Sequence, residues 1–347
     1  MIHEATRSGL LSLPKVELHL HLDISISYPV ARRLVPDLSL DRYRRELQGP
    51  DRCPGLAAFL STTTRQVELL QSEQALRWVT ESLLSTLAAE GVAHAELRFA
   101  PLLHTAGALS PEAAVEAVLS AVNDTAAGLG MTASCILASL RHFDGESSTR
   151  TARLAARYHG ETAVGFDLAG DEAGFPLRTH LPAFAVAKDA GVPLTVHAGE
   201  GAGPESVREV LREIAPARIG HGVRSAEDPD LVDHLAELGT HLELCPTCNV
   251  QLRVVPEMTA HPIDRLLRSG VSLSVSTDSR TSTVTTLPTE YERLAAAFGW
   301  GPAELRATNA MAARASFLPE AQRAALVERI AQASADTVTG RTAGAPA

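Results

Sequence analysis

Short apolar segments alternate with helical patterns along this chain, and that alternation constrains its fold more than any other feature. Eight segments can be identified, and several are apolar at nearly every position, which is typical of strands buried on both faces of a sheet. Their sequences are KVELHL, VAHAELRFA, TASCILASL, TAVGFDLAG, PLTVHAG, ARIGHGV, HLELCP and VSLSVST. A strand–helix alternation repeated eight times predicts an α/β fold, a closed parallel (β/α)8 or TIM barrel, in preference to an open doubly wound sheet.

Helical patterns fill the intervals, with apolar residues recurring every three or four positions. Between the strands and after the eighth strand, we predict helices within 111–130, 181–191, 204–215, 228–239, 289–299 and 320–333. About seventy residues separate the first strand from the second, and they contain further helical patterns within 28–35, 56–71 and 72–91. The barrel is therefore predicted to carry extra helices inserted after the first strand and at the C-terminus. We expect residues 1–336 to form one domain and residues 337–347, which are small and polar, to form a loose tail.

Composition excludes several classes of protein. The chain of 347 residues has a formal net charge of −10, which disfavours nucleic acid or an anionic membrane as its main partner. No apolar run approaches the roughly 20 residues that span a bilayer, and the N-terminal segment is a poor signal peptide. Four cysteines are too few for a disulfide scaffold, so we expect a cytoplasmic protein. Nothing in the sequence indicates an oligomeric state.

Polar residues follow five of the predicted strands at the point where each strand ends. In a parallel barrel these ends meet at one rim, where active sites lie. A buried imidazole or carboxylate is costly unless it is paired or bound, and one shared ligand explains all of them. The residues concerned are His19, His21 and Asp23 on the first strand, Asp167 on the fourth, His197 and Glu200 on the fifth, His221 on the sixth and Asp278 on the eighth.

The spacing of His19 and His21 indicates a metal site. Alternate residues of a strand point to the same face, so both imidazoles should point into the barrel. With His197 and Asp278 they form a nitrogen and oxygen donor set that suits zinc, although other divalent transition metals remain possible. A site with room for water would be catalytic, because a bound cation lowers the pKa of water from about 15.7 towards 7.

Most other polar residues have an ordinary structural interpretation. Buried histidines are more often hydrogen-bonded core residues than ligands. Asp23 alone could cap a loop, and we interpret Glu96 and Arg98 on the second strand as a buried ion pair. The histidines that we expect to be structural are His94, His142, His159, His180, His234 and His261.

Six motifs carry a resemblance to a known family. In chain order they are PKVELHLHLD, GFDLAGDE, TVHAGE, RIGHGV, LELCPTCN and STD, within a stretch from about Leu13 to Leu318. Together they resemble the adenosine deaminase family of metal-dependent purine aminohydrolases. The resemblance implies hydrolytic deamination of adenosine or 2′-deoxyadenosine, giving the 6-oxo purine and ammonia.

The resemblance also implies a role for each matching residue. His19, His21, His197 and Asp278 would hold one Zn²⁺ per chain, and the zinc-bound hydroxide would attack C6. Glu200 would protonate N1, which requires a raised carboxyl pKa in an enclosed site. His221 would orient the hydroxide and accept its proton. The remaining implied contacts are with the substrate, from Gly170 to ring N3 and from Asp23 to the ribose.

Two positions depart from the family pattern and affect the prediction of the substrate. Ile24 stands where the family commonly has glycine, so it could narrow the mouth of the site. Ser279 stands where many members have a second aspartate that contacts N7. A serine hydroxyl can donate to N7 without first being protonated, so Ser279 is either a substitute for that aspartate or an ordinary loop residue.

Several alternatives remain open at this point. The substrate could be adenine, a 5′-modified adenosine or an N6-substituted purine, or the reaction could involve a ring other than a purine. The chain could also be a catalytically silent purine-binding relative. A signature of cytosine-type zinc deaminases is disfavoured, because one residue separates Glu243 from Cys245 and that signature needs its two parts on different elements. The Cys245–Cys248 pair has no second pair with which to form a zinc site.

Overall fold

The computed structural model describes residues 13–160 and 162–339 of the chain. Within that part, eight strands occupy the eight predicted positions, and each neighbouring pair runs parallel. The strands are β1 Lys15–His21, β2 Val92–Phe99, β3 Thr132–Leu140, β4 Ala163–Ala169, β5 Thr195–Ala198, β6 Arg218–His221, β7 His241–Leu244 and β8 Leu273–Val275. The prediction of eight parallel strands is confirmed.

The strands form two four-stranded sheets, β1 to β4 and β5 to β8, which meet at two seams. At one seam, Phe166 donates its backbone N–H to the carbonyl of Pro193 at 3.0 Å. At the other, His21 N–H donates to the Asp278 carbonyl at 2.7 Å, and Asp278 N–H donates to the His19 carbonyl at 2.9 Å. The second seam closes the barrel through the backbone of three predicted metal ligands.

The helices surround this barrel. They are α1 Tyr28–Leu34, α2 Leu40–Leu47, α3 Leu56–Leu69, α4 Glu73–Ala89, α5 Pro111–Ala126, α6 Gly145–Tyr158, α7 Leu181–Asp189, α8 Pro204–Glu213, α9 Pro229–Leu238, α10 Pro246–Gln251, α11 Ile263–Arg268, α12 Leu287–Phe298, α13 Pro302–Ala315 and α14 Glu320–Thr339. The extra helices predicted after the first strand are present as α1 to α4, and those at the C-terminus follow β8.

Side-chain caps explain where several helices begin. Ser72 accepts a hydrogen bond from Ala75 N–H at 3.2 Å at the start of α4, and Asp144 accepts from Ser147 N–H at 2.7 Å at the start of α6. Such caps satisfy N–H groups that have no partner within the helix. The sequence analysis did not identify α6, because the segment GESSTRTARLAARY has few large apolar side chains. It buries alanine, serine and threonine instead.

The end of the chain is only partly described. Helix α14 continues to Thr339, so the first residues of the predicted tail are helical, and 340–347 lie outside the described residues. Among the residues that the structure describes, no helix combines the length and apolar character needed to cross a bilayer.

A network of buried charges fills the centre of the barrel. Arg218 Nε lies 2.7 Å from Glu243, and Arg218 Nη2 donates to Glu96 at 2.5 Å. The guanidinium also lies 3.5 Å from the ring centroid of Phe317. The predicted pairing of Glu96 with Arg98 is wrong in its partner, because Arg98 bonds to Asp167 and Glu243 instead. Glu96 and Arg98 lie two residues apart on β2, but they do not pair with each other. Each forms its ion pairs with charged side chains from other strands.

Candidate metal centre and active site

The polar strand ends converge on one cavity at the carboxyl-terminal face of the barrel. Its volume is about 260 Å³. Five strands contribute polar residues to its wall, and helix α3 contributes mostly apolar ones. The lining includes His21, Asp23, Ile24, Leu56, Phe59, Leu60, Thr63, Thr64, Val67, Leu103, Leu140, His142, Gly170, His197, Glu200, His221 and Asp278.

The structure brings the three predicted imidazoles together: His21 and His197 line this cavity, and the buried His19 ring packs against both. One ligand nitrogen from each of His19, His21 and His197 lies within 4.8 Å of the others. Nε2 of His21 is 3.3 Å from Nε2 of His197 and 3.4 Å from Oδ1 of Asp278. Gly220 allows this close packing, because a Cβ there would lie 3.0 Å from the His19 ring and 3.1 Å from the His197 ring.

Buried carboxylates set the orientation of two of these imidazoles. Nδ1 of His19 donates to Glu243 at 2.8 Å, and Nδ1 of His197 lies 3.0 Å from Asp167. A proton held on Nδ1 leaves the lone pair on Nε2, which faces the cluster. Burial lowers the pKa of His19 and His21 well below the ordinary value, which keeps both rings neutral. Neutral imidazoles with free Nε2 lone pairs are the form that binds a metal.

Arg98 connects the two carboxylates. Its guanidinium donates to Asp167 at 2.9 Å, to Glu243 at 2.6 Å and to the Leu18 carbonyl at 2.8 Å. The sequence analysis missed Glu243 in this role and assigned Arg98 the wrong partner. The only signal available was a buried charge in each of two apolar strands, which does not reveal which strands face each other.

The spacing of the donors fits a tetrahedral cation. Two ligands at about 2.0–2.1 Å from zinc in tetrahedral geometry lie about 3.3–3.4 Å apart. The two separations from His21 Nε2 match that value, and His19 Nε2 is 3.6 Å from Asp278 Oδ1. His19 Nε2 is buried and has no hydrogen-bond partner among the described residues. The residues present therefore fit a zinc-type ion.

Backbone strain marks two of the site residues. Asp278 has φ 61° and His221 has φ 58°, in the left-handed region that residues other than glycine rarely adopt. Such strain typically costs of order 1–3 kcal/mol and clusters at functional sites. At Asp278, the two backbone hydrogen bonds to β1 hold this conformation in place.

Glu200 is a buried carboxyl beside the cluster. Burial raises its pKa well above the ordinary value, and the nearby charges of Asp278 and Glu172 raise it further. Glu172 itself accepts the backbone N–H groups of Gly199, Glu200 and Ala202 at 2.7, 3.1 and 2.9 Å. The raised pKa predicted for Glu200 agrees in direction with its burial and with the two carboxylates near it.

His221 lies between Glu200 and the three imidazoles. Its ring centroid is 4.7 Å from that of His19 and 5.3 Å from that of His197. Its Nδ1 is 3.4 Å from Glu200 Oε1 and 3.2 Å from Asn249 Nδ2. The sequence analysis did not single out Asn249, although it lies in the motif LELCPTCN.

Three of the predicted substrate-binding positions line the mouth of the cavity or lie beside it. Asp23 accepts the Ala100 N–H at 3.0 Å, and burial raises the pKa of its carboxyl to about 6. Gly170 has φ +102°, a backbone conformation that residues other than glycine rarely adopt. Ser279 does not line the cavity; its hydroxyl is buried without a hydrogen-bond partner in the described part of the chain.

The other buried histidines and the cysteines have structural contacts. His94 bonds to Thr132 at 2.9 Å and His180 to Ser148 at 2.7 Å. His142 differs, because it lines the cavity. All four cysteines are buried and free of disulfides. The ligand atom of Cys245 lies within 4.8 Å of those of His19 and His221, so this thiol adjoins the metal cluster.

A cluster of three buried or half-buried histidines at the carboxyl end of a parallel barrel, beside a carboxyl of raised pKa, is typical of a metal-dependent hydrolase of the barrel class. The sequence profile of the adenosine deaminase family matches residues 14–333. An adenine deaminase from Rhizobium etli is 37% identical over 92% of this chain and 99% of its own length. An adenosine deaminase from Lacticaseibacillus casei is 35% identical over 93% of this chain and 97% of its own length.

The fold agrees with that relationship. The crystal structure of an adenine deaminase from Arthrobacter aurescens superimposes with a TM-score of 0.85 at 27% identity, over 92% of this chain and 98% of that one. The chain belongs to the adenosine deaminase family. It is a hydrolytic deaminase of purines on a TIM barrel.

Proposed function

We propose that this enzyme converts adenosine and 2′-deoxyadenosine to inosine and 2′-deoxyinosine, with release of ammonia. The observation that carries the proposal is the position of Glu200, a carboxyl of raised pKa, beside His221, with both lining the same cavity as His21, His197 and Asp278. Such a site offers a proton donor and a place for a nucleophile on opposite sides of a reacting carbon.

One Zn²⁺ would be held by His19, His21, His197 and Asp278. When bound, the cation supplies a Lewis acid that lowers the pKa of water towards about 7. The protein's own part is to orient the imidazoles of His19 and His197, through Glu243 and Asp167. Other divalent ions fit the same donors, and zinc is the proposal because nitrogen and carboxylate donors in tetrahedral spacing suit it.

Glu200 would donate its proton to ring N1 as the nucleophile adds to C6. Negative charge that develops on the ring during addition is neutralised by that proton. His221 would orient the nucleophile, and the carboxylate of Asp278 would accept its proton. Both are buried, so water that is not reacting is excluded from the site.

The rest of the substrate would bind toward the mouth of the cavity. The Gly170 backbone N–H would donate to N3, and the Asp23 carboxyl would meet the ribose. The Ser279 hydroxyl, which lacks a partner among the described residues, is the available donor for N7 once it turns toward the cavity. The Ile24 side chain lies in the wall and limits the space beside the sugar.

Cavity size and charge support an unphosphorylated substrate. The volume of about 260 Å³ lies below the range of roughly 300–1,000 Å³ that small-molecule sites commonly span. Among the described residues, the lining contains no lysine or arginine to pair with a phosphate. A nucleoside or a free base suits this cavity better than a nucleotide does.

Adenine is the second candidate substrate. Ile24 is β-branched and lies where the sugar would enter, which favours a smaller ligand. A relative with 37% identity is an adenine deaminase. An N6-substituted or 5′-modified adenosine would place its extra group against the leucine-rich wall formed by α3.

A panel of purines tests the assignment. Zinc-loaded protein is assayed with adenine, adenosine, 2′-deoxyadenosine, N6-methyladenosine, 5′-deoxyadenosine and AMP, by ultraviolet absorbance and ammonia release. The proposal predicts the highest kcat/KM for adenosine or 2′-deoxyadenosine and little turnover of AMP. A higher kcat/KM for adenine would replace the nucleoside with the base, and binding without turnover of any member would contradict the assignment.

We also propose that residues 1–336 form a single domain and that the protein is cytoplasmic. Strands from both halves of the chain build one cavity, which supports the single domain. Four buried, unpaired thiols suit a reducing compartment. Limited proteolysis and fractionation of the source cells test these two proposals.

A further inference from the structure

We propose that Asn249, held by His261, is a positioning residue that determines which atoms of His221 and Glu200 carry their protons. The role in turnover rests on the proposed function, but the hydrogen-bond argument does not use it. A chain of hydrogen bonds runs from the backbone N–H of Ile263 through His261 and Asn249 to His221 and Glu200.

The first step fixes the proton on His261. The backbone N–H of Ile263 lies 3.1 Å from His261 Nδ1, and a backbone N–H can only donate. Nδ1 therefore carries the lone pair. Burial lowers the pKa of His261 to about 3, so the ring is neutral and its proton is on Nε2.

The second step determines the orientation of the Asn249 side-chain amide, that is, which end is the oxygen and which is the nitrogen. His261 Nε2 lies 3.2 Å from Asn249 Oδ1. Because Nε2 bears the proton, the atom facing it must be an acceptor, which is the amide oxygen. The two ends of an asparagine amide are otherwise hard to distinguish. Here the partner settles the choice, and the NH₂ group of Asn249 points to the active site.

The third step determines which ring nitrogen of His221 carries the proton. Asn249 Nδ2 is 3.2 Å from His221 Nδ1, and an amide nitrogen only donates. His221 Nδ1 therefore accepts, and a neutral His221 carries its proton on Nε2. The other neighbour of Nδ1 is Glu200 Oε1 at 3.4 Å.

The same amide orients Glu200. Its second N–H lies toward Oε1 of Glu200, with a nitrogen-to-oxygen distance of 3.5 Å. An oxygen that accepts from this amide is favoured as the unprotonated one, which leaves the acid proton on Oε2. One buried asparagine side chain thereby specifies the protonation of both groups that flank the proposed reaction centre.

This arrangement has a consequence for the proposed reaction. With Nε2 protonated, His221 is a hydrogen-bond donor that can orient a nucleophilic oxygen but cannot take its proton at that atom. The acceptor is then the carboxylate of Asp278. Glu200 loses its Oε2 proton to N1, so one proton enters the ring for each proton that leaves the nucleophile.

Nitrogen-15 NMR of histidine-labelled, zinc-loaded protein tests the tautomers directly. Two other buried histidines provide internal references of opposite type. His104 Nδ1 faces the Leu70 carbonyl at 2.9 Å, so its proton is on Nδ1; His180 Nε2 faces the Arg141 carbonyl at 3.1 Å, so its proton is on Nε2. We expect His221 and His261 to show the His180 pattern. A His221 signal of the His104 type would overturn the proposal.

The variant Asn249→Asp tests the relay. A carboxylate only accepts, so His221 should change to the Nδ1–H tautomer, and kcat should fall roughly 10- to 100-fold with a smaller change in KM. Bound zinc should not change, because Asn249 contacts none of the proposed ligands. The control Asn123→Asp makes the same exchange at an exposed position of α5 and should alter neither quantity.

The two proposals fail in distinguishable ways. An unchanged His221 tautomer in Asn249→Asp overturns the positioning role, whatever the activity. Absence of purine turnover together with the expected tautomers overturns the proposed function and leaves the relay intact. If Asn249→Asp does not fold, the wild-type spectrum still decides the tautomer of His221.

Discussion

The Arg98 guanidinium donates to the Glu243 carboxylate at 2.6 Å in the centre of the barrel, where neither side chain has any exposed surface. Through its other nitrogen Arg98 holds Asp167 at 2.9 Å. Glu243 and Asp167 each face the Nδ1 of one cluster histidine. The Arg98 guanidinium on β2 thereby maintains the orientation of two imidazoles, one from β1 and one from β5.

Replacement of Arg98 should weaken metal binding. In Arg98→Met the two carboxylates lose their shared cation, and we expect zinc affinity to fall roughly 10- to 100-fold, with loss of about 3–5 kcal/mol of folding stability. Competition with a chelator measures the affinity. Arg218→Met is the matched control, because it removes a buried guanidinium that pairs with Glu243 and with Glu96, and Glu96 contacts His94 rather than a second histidine of the cluster. Equal zinc affinity in Arg98→Met and wild type would contradict this role.

Glu200→Gln should separate metal binding from turnover. The amide is isosteric but cannot deliver a carboxyl proton, so kcat should fall by roughly 10²-fold or more while zinc content is retained. Metal analysis and an ammonia assay on the same preparation measure both. Glu205→Gln, at an exposed position in the first turn of α8, is the control and should keep full activity. Full turnover in Glu200→Gln would remove this residue from the mechanism.

Truncation of Ile24 should change the choice of substrate. Ile24→Ala enlarges the cavity beside the proposed sugar position, so kcat/KM for adenosine relative to adenine should rise by about 10-fold. Ile26→Ala is the matched control, because Ile26 is buried in the same loop but does not line the cavity. The ratio of the two specificity constants is measured for wild type and both variants. An unchanged ratio in Ile24→Ala would show that Ile24 does not limit entry of the sugar.

His104 should make the fold sensitive to mild acid. Burial lowers its pKa to about 4, against an ordinary value near 6.5. Above pH 6.5 the ring is neutral in both states and adds no pH dependence. As the pH falls from 6.5 towards 4, the unfolded chain binds a proton that the folded chain does not. The free energy of unfolding then falls by up to about 1.4 kcal/mol per pH unit.

The variant His104→Asn removes that titration and can keep the hydrogen bond to the Leu70 carbonyl. Urea unfolding of zinc-loaded wild type and variant at pH 7.5 and pH 5 measures the effect. The stability advantage of wild type over the variant should shrink at the lower pH. A difference that stays constant between the two pH values would rule out a shifted pKa at His104.

The fold was largely predictable because the barrel leaves a strong local signal. Strands buried on both faces are short and apolar, so all eight could be located without knowledge of their neighbours. Helices with a polar composition, such as α6, left a weaker signal. Closure of the barrel could not be deduced from any segment, because it depends on hydrogen bonds between β1 and the residues after β8.

The proposed metal ligands were predictable because they are polar residues at the ends of apolar strands. His19, His21, His197 and Asp278 interrupt apolar runs where the rim of a barrel must lie. The charges around them were not predictable in the same way. Arg98, Glu243 and Asn249 act on residues far away in the chain, and their partners depend on which strands face each other across the interior.

The central claim is that one cation is bound by side chains of β1, β5 and the turn after β8. Anomalous diffraction at the zinc edge from zinc-loaded crystals tests it most directly. The account predicts one strong peak, about 2.0–2.1 Å from the Nε2 atoms of His19, His21 and His197 and bonded to Asp278. A peak at another place in the molecule, or imidazoles at 19, 21 and 197 that point away from a common centre, would contradict it.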